Sequence, residues 1–297
     1  MVYLQYFVFP SAEVEFDFFL NEKRTCFNSF YPFQVLSRRG FERIDFEPIT
    51  ILYGGNGSGK TTVLNIIAEK TRIKRVSLFN QSNFFSDYLD LCQVKYAGNL
   101  PDASQIITSD DVFDYMLNIR ALNQGLDIKR EELFTEYREA KYSQFQMKSL
   151  AEYEQLRKVN RARSNSQSRF IRSELMDTVR EYSNGESAYK YFTEQIAERG
   201  LYLLDEPENS LSPKRQLELL ALIEDAAWYT GCQFVISTHS PFLMAMRGAK
   251  VYDLDEDPVT VKPWTELETV RTYFEFFQRY EREFEPISAI NQKEGLK

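Results

Sequence analysis

The segment that most constrains this chain is a glycine-rich turn between an apolar run and a helical pattern. Residues 54–61 read Gly-Gly-Asn-Gly-Ser-Gly-Lys-Thr and fit the pattern GxxxxGK[ST]. The β-branched run 49–53 precedes them and predicts a buried strand, and the residues from Lys60 to about Arg72 follow a helical pattern. In that context the glycines let successive backbone N–H groups wrap a phosphate chain at the start of a helix. The sequence therefore predicts an α/β fold with a phosphate-binding loop.

Each part of this loop has a predicted role. Lys60 is expected to reach the β- and γ-phosphate oxygens, and the Thr61 hydroxyl is expected to bind Mg²⁺. The predicted nucleotide-binding residues of the loop are Gly54, Gly55, Asn56, Gly57, Ser58, Gly59, Lys60, Thr61 and Thr62. ATP is favoured over GTP because the sequence has no Asn-Lys-x-Asp motif for reading guanine. The expected ligands are ATP and Mg²⁺.

Two later apolar runs end in polar residues. Residues 201–204 are followed by Asp205 and Glu206, and residues 233–236 are followed by Ser-Thr-His239. The carboxyl ends of parallel strands face the ligand crevice, so these side chains are expected to meet there. Asp205 is predicted to hold Mg²⁺ through water, Glu206 to polarise the attacking water, and His239 to bond the γ-phosphate. The predicted catalytic residues are Glu206, His239 and Lys60.

The composition of the chain excludes several kinds of metal site. The chain has 297 residues, one histidine, three cysteines and a formal net charge of -8. One imidazole is too few for His-rich zinc sites and for two-His-one-carboxylate iron sites. The dispersed cysteines predict reduced thiols without a disulfide framework. No run approaches about 18 apolar residues, so we expect a cytoplasmic protein without membrane insertion.

The chain is expected to form one domain with an inserted lobe. Its expected parts are a β-rich N-terminal part (1–53), a phosphate-loop core (54–108), a helical lobe (109–182), a second core half (183–264) and a C-terminal helix with a tail (265–297). The lobe is predicted because proline and glycine are missing from 129 to 180. Ser109 is predicted to cap its first helix.

Alternation and short apolar runs predict further strands. Residues 2–9 and 14–18 alternate aromatic with polar or acidic residues, and 76–79 is a short apolar run. Residues 266–284 predict an amphipathic helix whose aromatic residues pack in the core, with a partner-docking face as the alternative.

Four motifs occur in a fixed order along the chain. They are the glycine-rich loop, the segment Ser183-Asn184-Gly185-Glu186, the Asp205-Glu206 strand and the loop with His239. In this order they resemble the ABC-type ATPases, in particular the branch that includes SMC and RecF-like proteins. The stretches 203–213 and 237–241 are similar to those of small stand-alone bacterial AAA family ATPases of ABC type. The resemblance covers residues 1–285.

The resemblance implies ATP hydrolysis by a homodimer that sandwiches ATP. Ser183, Asn184, Gly185 and Glu186 match the signature that contacts the nucleotide of a second protomer, and residues 209–212 match the D-loop at the dimer seam. His239 matches the switch histidine. The signature departs from its usual form Leu-Ser-Gly-Gly-Gln, because Tyr182, Asn184 and Glu186 replace Leu, Gly and Gln.

The sequence does not determine two elements of the implied site. Gln81 is the candidate for contacting Mg²⁺ and water, with Asn80 as a competitor and an ordinary solvated glutamine as the third interpretation. The residues that contact adenine are not identified by a motif. Phe41, Arg43 and Phe46 precede the strand of the glycine-rich loop and are candidates.

The implied function is an ATP-driven switch coupled to a protein effector or to nucleic acid, in anti-phage defence or genome maintenance. The alternative is the cytosolic ATPase subunit of a membrane transporter. A basic cluster in the lobe is the candidate nucleic-acid contact, with a solvated helical face as the alternative interpretation. The cluster consists of Arg157, Lys158, Arg161, Arg163, Arg169 and Arg172.

Overall fold

The structure, a computed structural model, describes residues 1–24, 27, 29–145, 152–172, 184–196 and 199–284. Contacts divide the chain into two compact units, Met1–Val112 with Ala188–Lys297, and Phe113–Ser187. In the described ranges the first unit is mixed α/β and the second is helical. The predicted α/β fold class is confirmed.

The elements are numbered along the chain. The strands of the described residues are β1 (Leu4–Val8), β2 (Arg43–Asp45), β3 (Ile49–Tyr53), β4 (Gln93–Tyr96), β5 (Gln105–Thr108), β6 (Leu201–Asp205), β7 (Gln233–Ser237), β8 (Lys250–Asp253) and β9 (Thr260–Val261). The α-helices are α1 (Ala12–Asn21), α2 (Lys60–Thr71), α3 (Phe85–Leu91), α4 (Ser109–Tyr142), α5 (Tyr153–Ser164), α6 (Gln167–Arg172), α7 (Asn184–Gln195), α8 (Pro213–Asp225), α9 (Pro241–Met244) and α10 (Glu268–Arg279). No helix in these ranges combines the length and the apolar character needed to cross a membrane.

The central sheet of the first unit sets up the candidate site. Among the described residues its order is β5-β6-β7-β3-β8-β9, parallel except for the edge strand β9. Strands β3, β6 and β7 lie side by side and are buried at every residue, as expected of apolar parallel strands. Their carboxyl ends therefore bring the glycine-rich loop, Glu206 and the His239 loop to one edge of the sheet.

The N-terminal part contains a helix where the sequence predicts a strand. Residues 14–18 belong to α1, and the Ser11 side chain accepts a hydrogen bond from the Val14 N–H at 3.4 Å. Two acids in the first turn add to this N-cap. The antiparallel sheet around β1 is completed by β2 and β4 instead.

The strand predicted at 76–79 is wrong as well. Val76 and Leu78 are 71% and 95% exposed, and Phe79 is the residue of this run that packs against the core. The edge of the central sheet beside β6 is taken by β5. Lys74 contributes only an isolated bridge to Gln105.

The helix predicted at Ser109 forms, but Thr108 caps it. The Thr108 Oγ accepts from the Asp111 N–H at 3.3 Å, and the Asp111 carboxylate accepts from the Thr108 N–H at 2.8 Å. This reciprocal pair is of the capping-box type. The second unit has its own apolar cluster, which includes Tyr137, Val159 and Phe170.

The aromatic residues of the C-terminal helix are not core residues. On α10 and just beyond it, five aromatic side chains are between 39% and 54% exposed, while Val270 is the buried residue of the helix. We call this set the aromatic face; it consists of Tyr273, Phe274, Phe276, Phe277 and Tyr280. Core packing of these residues was the wrong expectation, because the helix buries only a narrow strip near its start.

Candidate nucleotide-binding site

The glycine-rich loop has a backbone that only glycine adopts easily. Gly57 and Gly59 have φ angles of 81° and 99°, in the left-handed region. A Cβ on Gly59 would also come within 3.2 Å of Leu36 and 3.3 Å of Val35. The loop shape therefore depends on glycine at position 59 for two independent reasons.

Lys60 is the first residue of α2 and lies inside the loop. Its side chain is 4% exposed, and its Nζ donates to the carbonyl oxygens of Gly54 at 2.7 Å and Gly55 at 3.1 Å. Burial lowers the pKa of Lys60, while the carboxylates of Glu206 and Asp205 raise it. The ammonium is thus held where a phosphate chain wrapped by the loop would meet it.

Asp205 joins three elements at the end of β6. The Thr61 hydroxyl of α2 donates to Asp205 Oδ1 at 3.1 Å, and the Ser237 hydroxyl of β7 donates to the same oxygen. Burial raises the pKa of Asp205, and the hydrogen bonds from Ser237 and Thr61 lower it. A carboxylate beside a hydroxyl is the oxygen donor set that Mg²⁺ takes when phosphates and water complete its shell. The described residues contain no group of three or more His, Cys, Asp or Glu side chains that would enclose a metal alone.

Glu206 lies between two partners at the same edge. Its carboxylate accepts from Asn209 Nδ2 at 3.1 Å, and its other oxygen lies 3.5 Å from His239 Nε2. The Glu206 backbone has a φ of 47°, and its N–H donates to the Ser237 carbonyl at 3.0 Å. A left-handed non-glycine residue costs of order 1 kcal/mol or more and is typical of functional sites.

A small cavity is lined by seven of the predicted residues. Its volume is about 200 Å³, and Glu206 lines it together with residues of the loop. The loop and helix residues that line it are Asn56, Gly57, Gly59, Lys60, Thr61 and Thr62, together with Val35. The arrangement combines a phosphate loop, a metal-type carboxylate and a second carboxylate beside an imidazole.

Comparison with known proteins assigns this arrangement to a family. A family model described as "ABC transporter" matches residues 43–209, more than half of the chain. The chain belongs to the ABC ATPase family. A second model, described as "AAA domain, putative AbiEii toxin, Type IV TA system", matches residues 178–245. The resemblance drawn from the motif order is therefore confirmed.

Solved structures of ABC proteins are similar to this chain. A dimeric ATP-binding cassette in a post-hydrolysis state, bound to ADP and phosphate, is 15% identical, with 76% of this chain and 90% of that chain covered and a TM-score of 0.36. The Smc head domain of Pyrococcus furiosus, bound to the C-terminal domain of ScpA, is 13% identical, with 80% and 95% covered and a TM-score of 0.37. No curated protein matches the chain.

The segment predicted to be the signature, residues 183–186, lies only partly within the described residues. Ser183 lies outside the described residues, and α7 begins at Asn184 and continues through Gly185 and Glu186. The described part of this segment is therefore helical. The contact of these residues with the nucleotide of a second protomer stays a prediction.

The three candidates for contact with adenine make other contacts in the structure. Phe41 and Phe46 are 2% and 5% exposed and belong to the hydrophobic core, so neither is open to stack on adenine. Arg43 stacks over the Tyr6 ring and donates to Asp45 at 3.0 Å.

Gln81 is exposed in a loop, and the strand that was to place it does not form. The competing residue Asn80 is exposed in the same loop. The Mg²⁺ contact of Gln81 stays a prediction, without the strand-end argument that first supported it.

Two acids of the site were missed in the sequence. Glu208 Oε1 accepts from the N–H groups of His239 at 2.5 Å and Ser240 at 3.2 Å. Asp255 Oδ2 accepts from the Gly55 N–H at 2.6 Å. Asp255 follows β8, which pairs with β3, so the strand-end rule used for Asp205 would have found it. For Glu208 the sequence offers no comparable signal.

An apolar cavity of about 760 Å³ lies beside His239. His239, Ser240 and Glu208 line one part of it, and the aromatic face lines another through Tyr273, Phe274 and Phe277. We call residues 238–240, which carry His239, the switch loop; this loop adjoins exposed aromatic surface within the first unit.

The basic cluster of the second unit is partly neutralised within that unit. Lys158 pairs with Glu136 at 2.7 Å, and Arg157 lies 3.8 Å from Glu154. Arg163 donates to the Ser143 carbonyl at 2.6 Å. These contacts support a solvated helical face, and nucleic-acid binding through the cluster stays a prediction.

Replacing Asp205 with asparagine is expected to stabilise the protein free of Mg²⁺ and nucleotide. The amide oxygen still accepts from Thr61 and Ser237, but the buried charge beside Glu206 is gone. We expect the thermal midpoint to rise by about 2–4 °C at neutral pH, the shift that ~1 kcal/mol produces.

The pH dependence of that difference has a definite sign. The raised pKa means that the folded protein binds more protons than the unfolded chain between the unfolded pKa, about 3.9, and the folded one. The penalty for Asp205 therefore grows as the pH rises through this window and persists above it. The advantage of Asp205→Asn should shrink in acid, measured by thermal unfolding in buffer with a chelator. A lower midpoint than wild type at neutral pH would contradict the argument.

Proposed function

We propose that this ABC ATPase binds ATP with Mg²⁺, dimerises on it and hydrolyses it to ADP and phosphate. The observation that carries the proposal is the position of Glu206. Its carboxylate lies 3.5 Å from His239 and lines the same cavity as Lys60 and Thr61. A water placed there would be in reach of a proton acceptor and next to the loop that holds the phosphates.

Each residue then has a distinct task. The backbone of residues 54–60 and the Lys60 ammonium hold the β- and γ-phosphates, and Thr61 with Asp205 would hold Mg²⁺. When bound, Mg²⁺ neutralises charge that develops on the phosphate oxygens. Glu206 orients the attacking water and accepts its proton. His239 bonds the γ-phosphate and stays in contact with Glu206.

Dimerisation is proposed from the ABC signature and the D-loop. Ser183, Asn184, Gly185 and Glu186 contact the nucleotide of the second protomer, with the D-loop residues 209–212 at the seam. Backbone N–H groups at a helix N-terminus suit an anion, and α7 begins within this segment. The acid at position 186 would weaken this contact, because a carboxylate repels a phosphate.

The output of the switch is proposed to pass to a protein effector. The aromatic face and the 760 Å³ cavity adjoin the switch loop, and exposed aromatic patches of this kind are typical of protein contacts. Anti-phage defence or genome maintenance is the proposed setting. The toxin-linked AAA model that matches residues 178–245 supports it.

The motor subunit of a membrane transporter is the second candidate function. The ABC transporter model that matches residues 43–209 supports this candidate. The Asn184-for-glycine signature fits it less well. A permease gene beside the gene of this protein would favour transport, and a nuclease or toxin gene there would favour the switch.

Phosphate release from ATP tests the proposed chemistry. We expect steady phosphate release with excess Mg²⁺, loss of release when the metal is chelated, and recovery when Mg²⁺ is restored. The reason is that neither Thr61 nor Asp205 supplies the positive charge that Mg²⁺ brings to the phosphates. ADP and phosphate should form in equal amounts. ATP binding without any release in Mg²⁺ would contradict hydrolysis and leave a binding-only protein.

A further inference from the structure

Glu208 makes contacts that the proposed function does not use. Its Oε1 accepts from the backbone N–H groups of His239 at 2.5 Å and Ser240 at 3.2 Å. Hydrogen bonds from backbone N–H groups to a carboxylate are about twice as strong as those between neutral groups. Glu208 therefore fixes the backbone that carries the histidine, without contacting the imidazole.

Glu206 and Glu208 contact different parts of His239. Glu206 Oε1 lies 3.5 Å from the His239 imidazole, and Glu208 holds the His239 main chain. The Glu206 N–H also donates to the Ser237 carbonyl at 3.0 Å. Hydrogen bonds thus join the segment after β6 to the end of β7 and the loop that follows it. One links Glu206 to Ser237 and another links Glu208 to His239.

The same network reaches the D-loop. The Ser240 hydroxyl donates to Gln216 Oε1 at 2.7 Å, and Gln216 Nε2 donates to the Leu211 carbonyl at 2.9 Å. Leu211 lies in the D-loop and Gln216 on α8. A displacement of Glu208 would therefore reach the D-loop as well as the switch loop.

We propose that Glu208 is a positioning residue that holds the switch loop so that His239 meets Glu206 and the γ-phosphate. This inference rests on the proposed ATPase function. Both N–H groups donate to the same oxygen, Oε1, so a neutral side chain that keeps an oxygen acceptor should still hold the loop, through weaker bonds than the carboxylate makes.

The test compares Glu208→Ala with Glu208→Gln in steady-state ATP hydrolysis. Glu208→Ala should lower kcat by about 10²-fold, the cost of misplacing a reacting group by about 1 Å. The KM for ATP should change less than about threefold, because the phosphate loop is untouched. Glu208→Gln keeps an acceptor oxygen and should retain most of the wild-type kcat. Equal kcat in Glu208→Ala and wild type would overturn the inference while leaving the ATPase function intact.

Glu224→Ala is the matched control for a structural effect. Glu224 is 7% exposed and accepts from the Arg247 N–H at 2.7 Å, the same kind of bond made away from the nucleotide cavity. We expect both alanine variants to lower the thermal midpoint, but only Glu208→Ala to lower kcat. If Glu224→Ala lowers kcat as strongly, the effect of Glu208 is general destabilisation and the inference fails.

The single histidine supplies a readout that does not need hydrolysis. Imidazole resonances in a ¹H–¹⁵N spectrum of this chain come from His239 alone. They should shift or broaden in Glu208→Ala and stay at wild-type positions in Glu208→Gln and Glu224→Ala. A protein that hydrolyses no ATP but shows this pattern would refute the ATPase function and keep Glu208 as the holder of the loop. Unchanged resonances in Glu208→Ala would refute that role.

Discussion

Lys60→Ala is expected to lower kcat/KM for ATP by at least about 10³-fold, which in a standard assay is loss of hydrolysis. The ammonium is enclosed by the glycine-rich loop, with Nζ 2.7 Å from the Gly54 carbonyl. Charged donors aimed at developing negative charge in an enclosed site contribute about 10²–10³-fold each. Lys60 also binds the ground-state phosphates, so affinity for ATP should fall along with kcat.

Lys70→Ala is the matched control for this substitution. Lys70 lies at the other end of the same helix, and its Nζ also donates to a backbone carbonyl, that of Leu89 at 2.6 Å. Removing it tests the loss of a lysine–carbonyl bond in α2 without touching the phosphate loop. Phosphate release should remain within about twofold of wild type. Hydrolysis by Lys60→Ala within tenfold of wild type would contradict the assignment of the loop.

The part of the site that the sequence predicts best is the part set by local rules. β3, β6 and β7 are unbroken apolar runs, and parallel strands end at one edge of their sheet. Polar residues directly after those runs must then lie together. Asp205 and Glu206 follow from this argument with no knowledge of the packing.

The missed acids depend on bonds between distant parts of the chain. Glu208 bonds the N–H of His239, 31 residues away, and Asp255 bonds that of Gly55, 200 residues away. An acceptor for a backbone N–H leaves no periodicity or spacing in the sequence. The place of Asp255 after β8 was a clue in the sequence, but Glu208 is recognised only when the two loops that it joins are seen side by side.

The wrong elements show where local patterns are ambiguous. Alternation over 14–18 suits a strand, but Ser11 offers a cap and two acids favour a helix start, so the helix forms. The run 76–79 has the composition of a strand, but only Lys74, just before it, bridges to β5, and the exposed side chains of Val76 and Leu78 give the run little to bury. The aromatic face was expected in the core, but its side chains are exposed. An amphipathic pattern does not show whether the apolar side of a helix packs against the protein's own core.

Glu206→Gln is expected to trap the ATP-bound dimer and lower kcat by about 10²–10⁴-fold. Glutamine keeps the shape of the side chain and its contact with Asn209 but cannot accept a proton from water. The substitution also removes a negative charge from the cavity that receives the γ-phosphate, so ATP should bind at least as tightly as in wild type. With cleavage blocked and binding intact, sedimentation should show dimers in ATP and monomers after the nucleotide is removed.

Glu218→Gln serves as the control, since Glu218 pairs with Arg215 on α8 and does not line the nucleotide cavity. It should hydrolyse ATP as wild type does and accumulate no dimer. The two outcomes of Glu206→Gln test separate claims. Full hydrolysis by the variant would refute Glu206 as the residue that activates water. Blocked hydrolysis by a protein that stays monomeric in saturating ATP would keep that role and refute the sandwich dimer, and the signature residues 183–186 would then need a function within a single chain.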